Sequence, residues 1–179
     1  MFKLEGIKKE LYAVEDTCKK DIEAVCDYIF KNPELGEKEF LSSKYLIDLL
    51  KKNGFTVEEN YCGLPTAFRA EYGDNNGPSI AFLAEYDALP GYGPDKVPGH
   101  ACGHNWIAAG TYGAALVLSK FKNNFKGKVI LIGTPAEETL GGKVNMVEQN
   151  AFDDIDVVLQ MHLEANNNLS CKTLAIDCI

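Results

Sequence analysis

Two nearly uninterrupted apolar runs, SIAFLAEYD (79–87) and KVILIGT (128–134), constrain this chain more than any other feature. Neither alternates polar with apolar residues, so each needs cover on both faces, the pattern of a strand inside a helix-flanked sheet. Between them, after a Gly/Pro-rich loop (88–103), residues 104–121 predict a helix of small residues, WIAAGTYGAALVLSKF. Upstream, Val14, Cys18, Ile22, Val25, Cys26 and Ile29 recur at helical spacing over about 12–31, and Asn32-Pro33 stops that helix. A second helix over about 37–53 carries Phe40, Leu41, Tyr45, Leu46, Leu49 and Leu50 on one face and ends at Asn53-Gly54. FTVEENY (55–61) and TAFRAEYG (66–73) alternate like strands, with a turn at 74–78. Downstream come a helix (142–152), a strand DVVLQMHL (156–163) and a last strand KTLAIDC (172–178). Strands separated by helices of this length predict an α/β fold, a three-layer α/β/α sandwich with a largely parallel mixed sheet. No repeat interrupts the 179 residues, which predict a single domain.

The charge balance narrows the function classes. With 18 Lys and Arg against 26 Asp and Glu the net charge is −8. No basic cluster offers a nucleic-acid or anionic-membrane surface, so neither partner is expected. The first residues, MFKLEGIKKELYAVED, carry charges throughout and contain no apolar leader, which places the expected compartment in the cytoplasm. Six cysteines without a close Cys-x-x-Cys pair read as mostly reduced, buried small hydrophobes.

Ligand sites of parallel α/β sheets lie at the carboxyl ends of the strands, and there the reactive residues gather. Asp87 closes the first apolar run, Glu137 and Glu138 follow the second, and His162 lies near the end of DVVLQMH. Cys102 and His104, two apart in GHACGHN, sit on a glycine-flexed loop that leads into a helix. Thiolate, imidazole and carboxylate together suit a divalent metal of the zinc kind with an open position for water. Of two adjacent glutamates, one can ligate while the other takes a proton from the attacking water. Asp87 can ligate, or can hold the far nitrogen of a ligand histidine. Taken singly, each residue has a plainer reading: a solvated charge pair, a core cysteine, a core histidine. His100 reads as structural or supporting. The conjunction of all of them carries the metal reading.

The segments AEYDALPGYG (84–93), VPGHACGHN (97–105), GTPAEETLGGKVNM (133–146) and Met161-His162 resemble those of cytosolic metal-dependent amidohydrolases and peptidases. The resemblance is to enzymes of the aminoacylase, carboxypeptidase G and indoleacetyl-amino-acid hydrolase type. KNPELGEKEFLSSKYLIDLLKKNGFTVE (31–58) is similar to that family's N-terminal helix pair. It implies a zinc-exopeptidase-like catalytic domain and an activity on N-acyl amino acids, aminobenzoyl-glutamate-like compounds or dipeptides. Cys102, His104, Glu138 and His162 would then hold two divalent ions, zinc or manganese, with cobalt and nickel as further options. Glu137 would be the general base and Asp87 a supporting carboxylate. Asn105, where many relatives carry aspartate, resembles the aminobenzoyl-glutamate hydrolase and dipeptidase-like branch.

Such enzymes are about twice as long, with an inserted lid and homodimerisation domain and further histidines downstream. All three histidines here lie at positions 100, 104 and 162. Residues 1–179 are therefore expected to be the N-terminal part of a catalytic domain cut before the lid. Two rival readings follow. One is a catalytically silent fragment that binds metal or a partner; the other is a cysteine hydrolase with Cys102 as nucleophile, which leaves the paired glutamates without a role.

Overall fold

In the computed structural model, which describes residues 2–121 and 125–163, the two apolar runs lie side by side at the heart of a five-stranded sheet. The strands are β1 (Thr56–Glu59), β2 (Phe68–Gly73), β3 (Ser79–Ala84), β4 (Lys128–Gly133) and β5 (Val157–Leu159). Their order is β1-β2-β4-β3-β5. The β3–β4 and β3–β5 pairings are parallel; β1–β2 and β2–β4 are antiparallel, so the sheet is mixed.

Each apolar run is covered on both faces. From β4, Val129 and Leu131 join one buried cluster and Ile130 and Ile132 another. Over the first face lie α1 (Phe2–Lys31), α2 (Phe40–Lys52) and α3 (His104–Lys120), which pack Val25, Ile29, Leu46, Leu50, Tyr112 and Leu116 against it. The opposite face is covered by α4 (Gly142–Glu148), through Met146, and by the loop that follows it. These are the three layers that unalternated strands require.

Boundaries shift where a tertiary contact overrides local pattern. α1 starts at Phe2 rather than near residue 12, because Leu11 and Val14 extend its core-facing stripe backwards. α2 starts at Phe40 rather than 37: the Glu34 carboxylate accepts the N–H groups of Leu41 and Ser42 at 3.0 and 2.9 Å. An outside carboxylate thus satisfies donors that a cap residue normally would. α4 stops at Glu148 rather than 152, because Asn150 turns left-handed (φ 57°) and Ala151 N–H bonds Met146 O at 3.0 Å. The strand expected at 172–178 lies outside the described residues, as do Cys171 and Cys178. Cys18, Cys26, Cys62 and Cys102 are free thiols. Among the described residues no helix is long and apolar enough to cross a membrane.

Candidate metal centre

Strand register brings the reactive residues together. β3 and β4 end level, Ala84 opposite Gly133, and Thr134 N–H bonds Ala84 O at 2.8 Å. Gly133 permits this crowding, since a Cβ there would lie within 2.6 Å of the Phe68 ring and the Tyr86 hydroxyl. Glu85–Asp87 and Thr134–Glu138 therefore leave the sheet as neighbours. β5 runs parallel beside β3, with Leu159 opposite Phe82, and delivers His162 to the same edge. α3 begins there at His104 behind Gly103, whose φ of 77° suits glycine and whose bare Cα faces Leu163.

The geometry centres on one atom. His104 is fully buried, its Nδ1–H donates to Asp87 Oδ1 at 2.8 Å, and its Nε2 has no hydrogen-bond partner. A neutral ring whose Nδ1 carries the proton presents a bare lone pair at Nε2. Around that lone pair stand Glu85 Oε2 at 3.5 Å and carboxylate oxygens of Glu137 and Glu138, each at 3.8 Å. Cys102 Sγ and His162 Nε2 lie 3.4 Å apart, and His162 Nδ1 bonds Leu163 O at 3.0 Å, which again leaves Nε2 facing inward. Two triads of donor atoms result, Cys102–His104–His162 and His104–Glu137–Glu138, with the atoms of each within 4.8 Å of one another. A buried, unpartnered imidazole nitrogen ringed by sulfur and carboxylate oxygen fits a divalent cation.

The electrostatics agree. Burial opposes ionisation of Asp87, but the hydrogen bonds from His104 and from Glu138 N–H (2.9 Å) outweigh it and hold the carboxyl below its ordinary range. Burial and the glutamates, Glu138 first, push the Cys102 thiol up to about 11. A nucleophilic cysteine needs the opposite, a depressed pKa beside a positive neighbour. Burial and Glu85 raise Glu137 as well.

Six residues singled out from sequence thus converge: Asp87, Cys102, His104, Glu137, Glu138 and His162. His100 stays outside both triads and holds α1 through Ile29 O at 3.1 Å. Asn105 is buried and donates to Cys26 Sγ at 3.2 Å. Sequence reading passes over Glu85, which is 1% exposed, bonded by Lys143 and by Gln160 (2.5 Å). The available signal was its spacing: two residues before Asp87 on extended chain, both side chains leave on the same side. Lys143 and Gln160 gave no comparable signal.

The sequence of this sheet edge is shared with known proteins. Residues 81–178 match the model of peptidase family M20/M25/M40. The chain belongs to that family. Among its M20 relatives, Xaa-Arg dipeptidase of Mus musculus is 36% identical over 92% of this chain and 40% of its own length. A p-aminobenzoyl-glutamate hydrolase of Escherichia coli K12 is 37% identical over 84% of this chain and 34% of its own length. The solved structure of a Bacillus subtilis protein described as a dinuclear metal binding peptidase from the M20 family superposes with a TM-score of 0.70 at 27% identity. That match covers 82% of this chain and 44% of the other. The chain thus spans well under half the length of these M20 proteins.

Proposed function

We propose that this chain forms part of a metal-dependent amidohydrolase that cleaves the amide bond of an N-acyl amino acid, an aminobenzoyl-glutamate-like compound or a dipeptide. The observation that carries the reading is the buried, unpartnered Nε2 of His104 among Cys102, His162, Glu137 and Glu138. In this reading Cys102, His104, Glu138 and His162 hold two divalent ions; the thiol and imidazoles suit zinc, and the carboxylates also accept manganese. When bound, such ions polarise the amide carbonyl and bring the pKa of the attacking water toward about 7.

The rest of the chemistry falls to the chain's own groups. Asp87 keeps the proton of His104 on Nδ1, and by accepting Glu138 N–H it fixes where that residue leaves the turn. Glu137, partly exposed at the mouth of the site, takes the proton from the water and returns it to the leaving amine. Its carboxyl is raised by burial and Glu85, which brings its basicity closer to the working pH. The cysteine-nucleophile alternative lacks support from the thiol at about 11.

The test is metal content followed by hydrolysis of N-acetyl amino acids, dipeptides and p-aminobenzoyl-glutamate, before and after chelation. Glu137→Gln should retain metal and lose turnover. Full activity in that variant refutes the base assignment; hydrolysis that survives chelation but not thiol alkylation refutes the metal reading.

A further inference from the structure

Beneath the glutamate pair lies a second carboxylate, Glu39, from the segment joining α1 and α2. It is fully buried, and its two oxygens are both engaged. Oε1 accepts the N–H of Ala136 at 2.7 Å, across 97 positions of sequence, and Oε2 accepts the Thr66 hydroxyl at 2.8 Å. A carboxylate withdrawn from water is costly unless its bonds do something no cheaper residue could. Capping α2 is not that purpose, because Glu34 already supplies those acceptors and Glu39 makes no side-chain cap bond.

What Glu39 grips is the residue immediately before Glu137. Ala136 sits at φ 58°, a left-handed conformation that residues with a Cβ rarely adopt unless their surroundings impose it. Its carbonyl is bonded by Gly141 N–H at 2.9 Å, which closes the turn from the other side. Its Cα lies so near Gly36 that a Cβ at Gly36 would stand 3.0 Å away. The 34–39 segment also steadies the neighbouring strand end, through Ala88 N–H to Glu34 O at 2.8 Å. One loop thus buttresses both chain segments that carry site carboxylates.

We propose that Glu39 is a positioning residue: its grip on the Ala136 N–H holds the left-handed turn that aims Glu137 and Glu138 at His104. The inference rests on the functional reading above for its consequence, and on the turn alone for its mechanism. What matters is reach and an acceptor oxygen, not charge. Glu39→Gln keeps an oxygen at the same distance, whereas Glu39→Asp keeps the charge and falls one methylene short.

The experiment measures amide exchange at Ala136, relative to the Leu131 amide of the core, and the affinity for Mn²⁺ alone in wild type, Glu39→Gln, Glu39→Asp and Glu39→Leu. Expected for Asp and Leu is at least tenfold faster exchange at Ala136 and Mn²⁺ binding weakened about 10- to 100-fold, the usual effect of losing a support behind a metal ligand. Gln should stay within a few-fold of wild type in both. Undiminished protection of Ala136 in Glu39→Asp overturns the proposal, and so does Gln behaving like Leu while Asp behaves like wild type. Unchanged Mn²⁺ affinity once the turn has loosened overturns it too. A wild-type chain that binds no Mn²⁺ counts against the functional reading, while the exchange data still decide whether Glu39 holds the turn.

Discussion

Replacing Asp87 by asparagine changes one atom and sets the His104 tautomer against the Glu138 turn. The carboxylate faces two donors, His104 Nδ1–H at 2.8 Å and Glu138 N–H at 2.9 Å, and is buried. An amide has one oxygen, so Asp87→Asn can accept from only one of them; its NH₂ must face the other. If NH₂ turns to His104, the ring is driven to the tautomer protonated at Nε2, and the lone pair among Cys102, Glu138 and His162 is lost. If it turns to Glu138, a buried backbone donor is stranded. Either outcome forfeits one hydrogen bond to a charged group, about 1.5–3 kcal/mol. At about 1.4 kcal/mol per factor of ten, that is roughly a 10- to 100-fold loss of metal affinity. Calorimetric titration of the apo-protein with Zn²⁺ or Mn²⁺ reads it, and ¹⁵N chemical shifts of the His104 ring report the tautomer. An Asp87→Asn protein that is folded, keeps Nδ1–H and binds metal as tightly as wild type refutes the reasoning.

Two further outcomes follow from the fold. Leu131 is fully buried in the central strand, so Leu131→Ala should destabilise the protein by about 2–5 kcal/mol; a denaturation midpoint unchanged from wild type would contradict its place in the core. Arg69 forks onto Asp154 at 2.9 and 2.6 Å and holds that carboxyl below its ordinary range. A lowered folded-state pKa stabilises above the unfolded value near 3.9 and is lost as pH falls through the folded one. Since Asp154 is largely exposed, the increment is screened to about 0.2–1 kcal/mol. Wild type should therefore exceed Asp154→Asn slightly in urea stability at pH 7, and the difference should vanish toward pH 3; a gap that persists there excludes this pair as its source.

Legibility in the sequence depended on whether a residue's role was local. The apolar runs 79–84 and 128–133 announce central strands because burial on both faces suppresses alternation, and β3 and β4 are those strands. Cys102, His104, Glu137 and Glu138 were legible because few structural roles place such side chains in loops beside buried strands. Glu34, Glu39 and Glu85 were not. Each looks like an ordinary surface glutamate in its own segment, and its meaning arises only from a partner elsewhere: Ala136 for Glu39, Lys143 for Glu85. The start of α2 was misjudged for the same reason, since the acceptor that caps it comes from Glu34, outside the helix.

The contrast between the carboxylates explains how one sheet edge can hold so much negative charge. Asp87 is tied down by two N–H donors, Glu39 by an N–H and a hydroxyl, and Glu85 by Lys143 and Gln160. Glu137 and Glu138 are the pair left partly exposed at the His104 lone pair. Like charges this close raise one another's pKa and oppose joint ionisation unless a cation intervenes. The buried supports therefore fix the direction of the free pair while donors quench their own charge. The uncompensated charge is confined to the one place where the unpartnered nitrogen of His104 also points, and there a divalent cation would relieve both.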